Sequence, residues 1–222
     1  RLGESPMWNA TEQALYWIDW YNPMVHRLVP ERGKLEHWTI PEAPAIGSIV
    51  LVSGGRLLLA LEAGLHVFDP ASGGLTPFAD PNGQRQGVGY NDAKIDRAGR
   101  CWIGTYDHAE TEPRGILHCL DGNGRSSIGD SGFAVCNGPA FSPDGGTLYF
   151  SDTVGRRILA YDMAPASPSL GNRRLFAAFD DTEGMPDGLT VDAGGDVWCA
   201  HYGAGRISRY SSDGTRKSLL HL

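Results

Sequence analysis

The sequence predicts an all-β fold, a β-propeller, on three observations. An apolar strand core recurs five times along the 222 residues. A short turn precedes each core. The chain also carries thirty glycines and fourteen prolines, a composition that favours many tight turns over long helices.

The five cores are Leu15-Tyr16-Trp17-Ile18-Asp19, Leu57-Leu58-Leu59-Ala60-Leu61, Cys101-Trp102-Ile103-Gly104-Thr105, Leu148-Tyr149-Phe150-Ser151-Asp152 and Val197-Trp198-Cys199-Ala200-His201. They are spaced by roughly 40 to 50 residues, the length of a four-stranded propeller blade. The turns before them are Thr11-Glu12-Gln13, Ser53-Gly54-Gly55-Arg56, Arg97-Ala98-Gly99-Arg100, Pro143-Asp144-Gly145-Gly146 and Ala193-Gly194-Gly195-Asp196. Most supply the Gly or Asp that a tight hairpin needs. A third strand follows each core, as in Arg157–Asp162 and Arg206–Tyr210. A second turn such as Asp121-Gly122-Asn123-Gly124 and an outer strand such as Leu35–Thr39 then complete the unit. The stretch Ala164–Asn172, with two prolines, reads as a loop. A β-sandwich also uses short strands and regular turns, but it does not require one unit five times over.

The formal net charge of -7 is spread without long runs of either sign. No basic patch with interleaved aromatics is present, so nucleic acid is not an expected partner. No apolar run approaches the roughly 20 residues needed to span a bilayer, and no membrane partner is expected. The first residues, Arg1-Leu2-Gly3-Glu4-Ser5-Pro6, have neither the pattern of a signal peptide nor a starting methionine. The expectation is a cytoplasmic protein, a monomer or a weak homo-oligomer. Cys101, Cys119, Cys136 and Cys199 form no CxxC pair, which argues against a structural zinc. They read as buried free thiols of a reducing compartment, with a Cys101–Cys119 bridge as the alternative.

Aligning the repeats on their cores brings out a second pattern upstream, where each blade's first strand begins. Blade one has Gly3-Glu4-Ser5-Pro6 and blade two Ala45-Ile46-Gly47-Ser48. Blade three has Tyr90-Asn91-Asp92, blade four Cys136-Asn137-Gly138-Pro139, and blade five Pro186-Asp187-Gly188. The first strands of a propeller line its channel. Glu4, Asn91, Asn137 and Asp187 are therefore expected to converge oxygen atoms around one point. Two such carboxylates repel unless a proton or a cation intervenes. Hard oxygen donors suit Ca²⁺, Mg²⁺ or Mn²⁺, with Zn²⁺ or Fe²⁺ as further occupants. Asn, Asp and Gly are also ordinary turn formers. Any one position alone is explained by that chemistry; Glu4 and the shared register are not.

With these residues in hand, the chain resembles the SMP-30/gluconolactonase family, also called regucalcin-like. The resemblance runs over essentially the whole length. It rests on Leu2–Trp8 with Leu15–Asp19, on Tyr90–Asp96 through Gly99–Thr105, on Asn137–Asp144 with Leu148–Asp152, and on Pro186–Asp192. It implies a six-bladed propeller, about five blades of which are present in a single domain, 1–222. On the residues alone, five blades forming a complete ring remain the alternative. The resemblance also implies that Glu4, Asn137 and Asp187 hold one divalent metal ion, first of all Ca²⁺. Asn91 then contacts substrate or a water, and Asp187 is the general base that opens a sugar lactone such as gluconolactone to its aldonic acid. Family members often carry an Arg two residues before that Asn; here the position is Gly89, and Arg85 is the nearest arginine before it in the chain.

His108, in the polar loop Asp107–Arg114, and Tyr202, beside His201 at the end of a blade-five strand, are further candidates for substrate contact. No nucleophile elbow or Ser-His-Asp spacing is present, which disfavours covalent catalysis. The rival readings are a calcium-binding regulatory or interaction propeller without catalysis, and a metal-dependent esterase acting on non-sugar esters.

Overall fold

Every repeat becomes one four-stranded antiparallel sheet in which consecutive strands are neighbours. The computed structural model describes residues 2–40, 43–164 and 166–222. Blade one is β1 (Gly3–Asn9), β2 (Ala14–Asp19), β3 (Met24–Val29) and β4 (Lys34–Thr39). Blade two is β5 (Ile46–Val52), β6 (Arg56–Leu61), β7 (Gly64–Asp69) and β8 (Gly74–Ala79). Blade three is β9 (Val88–Ile95), β10 (Cys101–Asp107), β11 (Gly115–Leu120) and β12 (Ser126–Phe133). Blade four is β13 (Cys136–Phe141), β14 (Thr147–Asp152), β15 (Arg157–Met163) and β16 (Leu170–Ala178). Blade five is β17 (Met185–Val191), β18 (Val197–Tyr202), β19 (Arg206–Tyr210) and β20 (Arg216–His221). The fold is a β-propeller. Among the described residues the only helical elements are two short 3₁₀ turns, and no helix is long and apolar enough to cross a membrane. The loop expected over Ala164–Asn172 ends sooner, because the outer strand β16 already begins at Leu170.

The chain divides into two compact units, Arg1–Tyr90 and Asn91–Leu222. In the first, the core lies between blades one and two: Tyr16 and Ile18 from one sheet meet Ile46, Ile49, Leu57, Leu59 and Phe68 from the other. In the second, Trp102, Leu117 and Phe133 of blade three pack with Leu148, Phe150 and Tyr161 of blade four. A further cluster joins Tyr149 and Ile158 of blade four to Val197, Cys199 and Tyr210 of blade five. Each such side chain contributes about 1.5–3 kcal/mol when fully buried, so stability resides in the sheet-to-sheet faces.

The turns before the cores are tied by side chains. Asp96 Oδ1 accepts the Ala98 and Arg100 N–H groups, both at 2.9 Å, and its Oδ2 accepts the Trp102 indole N–H at 2.9 Å. Blade five repeats the device with Asp192, Gly194, Asp196 and Trp198. One carboxylate thus closes the hairpin and satisfies the indole of the following core strand.

All four cysteines are buried free thiols. Cys101 pairs with Leu120, and Cys119 with Trp102. Strand alternation therefore sends the two cysteines to opposite faces of the sheet, where a bridge cannot form. Burial pushes the Cys119 thiol up to about 11 and those of Cys101 and Cys199 to about 12, which leaves them poor nucleophiles at neutral pH.

Close packing leaves no room for a methyl group at Gly104 of β10. A Cβ there would lie 2.5 Å from Cys136 Cβ and 2.9 Å from the Cys136 carbonyl oxygen. Gly104→Ala is expected to lose about 1–3 kcal/mol of stability through overpacking. Gly122→Ala meets nothing within 4 Å and should change stability by less than about 0.5 kcal/mol. Chemical denaturation of the two variants side by side measures the difference.

Candidate active site

The first strands of four blades share a local irregularity, and Glu4, Asn137 and Asp187 sit on it. In blade one the β1–β2 ladder shifts between Glu4, which faces Ile18, and Met7. In blade four it shifts between Asn137, which faces Ser151, and Ala140. Blade five shifts between Pro186 and Leu189, with Asp187 inside the irregular step. Blade two shifts between Ile46 and Ser48, around Gly47. Such a bulge re-aims a side chain and interrupts the ladder. Glu4 and Asn137 are each followed by a left-handed residue, Ser5 at φ 54° and Gly138 at φ 46°. That conformation is unusual for serine. Ser5 is held there by its hydroxyl, which donates to the Ile49 carbonyl at 3.3 Å and accepts the Ile49 N–H at 3.0 Å.

Within the second unit the structure brings Asn91, Asn137 and Asp187 together. The Asn91 amide donates to Asn137 Oδ1 and to the Cys136 carbonyl, both at 2.9 Å. The Asn137 amide nitrogen donates to Thr153 Oγ1 at 3.1 Å, so the buried carboxamide is oriented from both ends. β17 packs against β13, and Gly138 lets it come close. A Cβ on Gly138 would lie 2.5 Å from the Leu189 nitrogen and 2.7 Å from the Asp187 carbonyl oxygen. That same carbonyl accepts the Ser151 hydroxyl at 2.8 Å. Glycine is thus needed here twice, for its left-handed backbone and for its missing side chain.

Asp187 carries the electrostatic signature of the cluster. Burial, and then the nearby charge of Asp92, push its carboxyl up to about 6, against the Gly188 N–H that favours the ionised form. Among the described residues it has no ion pair with Lys or Arg. Asp92 lies in the same cluster. Its Oδ2 accepts the Gly138 N–H at 3.1 Å and its Oδ1 the Ala93 N–H at 2.9 Å. Burial also raises the Asp92 carboxyl, opposed by the charge of Lys94 and by those two N–H groups. The Lys94 ammonium donates to the Leu189 carbonyl at 3.2 Å.

Asp92 and Lys94 are not among the residues expected from the sequence. Alternation along a strand sends neighbours to opposite faces, which argues against using both Asn91 and Asp92 at one site. In the folded chain both reach β13, at consecutive residues. The one available signal was the cluster of polar residues Asn91, Asp92 and Lys94 in the first strand.

Glu4 belongs to the other compact unit, at the same register of its blade as Asn137. His108 is exposed in the turn after β10, its ring 5.3 Å from that of Tyr106. Tyr202 ends β18 opposite Met185 and is 56% exposed. Its neighbour His201 is buried between the Glu183 carbonyl (2.9 Å) and the Ser208 hydroxyl (2.8 Å), and burial lowers its pKa. That places His201 as a neutral structural residue. Gly89 is buried in β9 and presents no side chain. A groove of about 450 Å³ on blade four, lined by Arg156, Arg157, Arg173 and Arg174, shares no residue with the cluster. Each of those arginines already answers a carboxylate, of Asp181, Asp152, Asp130 and Asp162 respectively.

Among the described residues no three His, Cys, Asp or Glu side chains form a metal-holding group. The expected donor set is different in kind: two carboxylates and a carboxamide, all oxygen. A half-buried carboxylate with no ion pair to Lys or Arg among the described residues, near the charge of Asp92 and on a strand packed against the one that carries the fixed Asn137 carboxamide, fits a hard divalent cation.

The family model described as the SMP-30/Gluconolactonase/LRE-like region matches residues 2–221. The 6-deoxy-6-sulfogluconolactonase of Pseudomonas putida is 34% identical over 216 residues, covering 96% of this chain and 72% of that protein. The pentonolactonase XacC of Haloferax volcanii is 31% identical over 217 residues, covering 97% and 72%. The crystal structure of a calcium-binding protein, regucalcin, from Agrobacterium tumefaciens superposes with a TM-score of 0.93 at 26% identity, covering all of this chain and 74% of that one. The chain belongs to the SMP-30/gluconolactonase/LRE-like family.

Proposed function

We propose that this protein hydrolyses a sugar lactone to the corresponding aldonic acid, with one divalent cation held by Glu4, Asn137 and Asp187. The observation that carries the reading is the Asp187 carboxyl, raised by burial and by the charge of Asp92, on a backbone that lies against Gly138, the residue after the fixed Asn137 carboxamide. The lactonase names of the relatives supply the substrate class. Ca²⁺ is the first candidate, in keeping with the calcium-binding neighbour; Mg²⁺, Mn²⁺, Zn²⁺ and Fe²⁺ suit the same donors.

When bound, the cation supplies polarisation of the lactone carbonyl and stabilisation of the charge that develops on its oxygen. The protein's own groups do the rest. Asp187 accepts the proton of the attacking water through its carboxylate. Asn137 presents a carboxamide oxygen that Asn91 and Thr153 keep from turning. Asn91, through the rest of its side chain, orients substrate or water, with His108 and Tyr202 as further substrate contacts. Gly89 stands where family members often carry an Arg, so no arginine side chain is available from this position. Discrimination among aldonolactones therefore falls to other residues.

A panel of aldonolactones assayed with and without a chelator tests this reading. Turnover is expected with at least one of them and is expected to disappear with the chelator. Asp187→Ala should lower kcat by about 10²–10⁴. Turnover that survives both the chelator and this substitution contradicts the proposal. Metal binding without any lactone turnover points instead to a calcium-binding propeller.

The metal-free protein gives a second prediction. With its folded pKa near 6 and an unfolded value near 3.9, Asp187 holds more proton in the folded state between those pH values. Its ionisation therefore costs stability as pH rises from about 4 to 6, and the loss persists above. Asp187→Asn removes that cost. In chelator the variant should melt a few degrees above the wild type at pH 8, and the gap should close by pH 4. Thermal melts across that range provide the check.

A further inference from the structure

We propose that Asp92 and Lys94 are positioning residues: from one strand, β9, they brace the backbones of the two bulges that carry Asn137 and Asp187, and so fix the separation of those side chains. The inference rests on the reading of Asn137 and Asp187 as a cation-holding pair, and it adds what holds the pair in place.

The need for a brace follows from the bulges. Between Asn137 and Ala140, and again between Pro186 and Leu189, the ladder to the next strand is interrupted. Backbone groups at such steps lose their partners in the sheet. A buried N–H or C=O left without a partner is costly, and a site built on it would be loose. β9 reaches both steps, inside the first at Gly138 and at the end of the second, where Leu189 resumes the ladder opposite Cys199. Asp92 Oδ2 takes the Gly138 N–H at 3.1 Å, one residue after Asn137. Lys94 Nζ gives to the Leu189 carbonyl at 3.2 Å, two residues after Asp187. Asn91 adds the Cys136 carbonyl and the Asn137 side chain, so three consecutive residues of β13 are tied to β9.

The brace is itself held. Asp92 Oδ1 accepts the Ala93 N–H at 2.9 Å, which sets the carboxylate plane. The charge of Lys94 favours ionised Asp92 against its burial. A Cβ on Gly188 would stand 3.9 Å from Asp92 Oδ2, so this carboxylate also lies against the turn that carries Asp187. Neither residue is placed as a ligand or as a group that touches substrate; each acts through the backbone of a residue that is.

The test uses the full chain without metal, then with Mn²⁺ alone as probe. The variants are Asp92→Ala, Asp92→Asn, Lys94→Met and Lys94→Arg. Hydrogen exchange read by mass spectrometry should show Asp92→Ala losing protection over residues 136–141, with the outer strands unchanged. Asp92→Asn keeps an acceptor for the Gly138 N–H and should retain that protection. Lys94→Met should expose residues 186–191, and Lys94→Arg should restore them. Mn²⁺ affinity, followed by electron paramagnetic resonance, should fall about 10–100-fold in the Ala and Met variants, as for other supporting residues of metal sites. It should largely survive in the Asn and Arg variants. Asp92→Asn proving as harmful as Asp92→Ala overturns the brace, because the charge and not the hydrogen bond would then matter. Unchanged exchange in Asp92→Ala and Lys94→Met overturns it too. A wild type that binds no Mn²⁺ counts against the cation site, while the exchange pattern still decides the brace.

Discussion

The candidate site depends on one backbone constraint, the left-handed turn at Gly138 and the close approach it permits. With φ at 46° and no Cβ, Gly138 lets the Asp187–Leu189 backbone come to within the distance a methyl group would occupy. Any side chain there would push β17 away from β13 and separate Asp187 from Asn137. The rest of the cluster serves this contact. Ser151 fixes the Asp187 carbonyl, Thr153 and Asn91 fix the Asn137 carboxamide, and Asp92 takes the Gly138 N–H.

Repeated sheets thereby carry different chemistry at equivalent steps. The bulge recurs in blades one, two, four and five, yet each has a different residue at it: Glu4, Gly47, Asn137 and Asp187. The scaffold supplies position and the individual residue supplies chemistry, as expected of function grafted onto a fold. In blade two the position holds glycine and offers no ligand atom. In blade one a serine takes the left-handed backbone that glycine takes in blade four, held by its hydroxyl to Ile49.

Much of the fold was legible because its determinants are local. The strand cores, the turns before them and the outer strands follow from apolar alternation and turn residues, and each lies in the strand or turn expected of it. Register placed Asn91 and Asn137 at equivalent positions of repeated sheets, and their side chains do meet in a hydrogen bond. The brace was not. Lys94 and Leu189 are 95 residues apart in sequence, and nothing in either segment marks the other. Strand alternation does not foresee that Asn91 and Asp92, adjacent in sequence, can reach consecutive residues of a bulged strand. The Cys101–Cys119 alternative failed for a related reason: proximity in a hairpin says little until the register shows which face each residue occupies.

The central claim is that Glu4, Asn137 and Asp187 hold a single divalent cation. Anomalous diffraction from crystals grown with Mn²⁺ tests it most directly. The account predicts one strong peak at roughly 2.0–2.6 Å from the Asn137 carboxamide oxygen and from carboxylate oxygens of Asp187 and Glu4. A peak bound elsewhere on the protein, or an Asp187 carboxylate paired with a side chain instead of the ion, would contradict it.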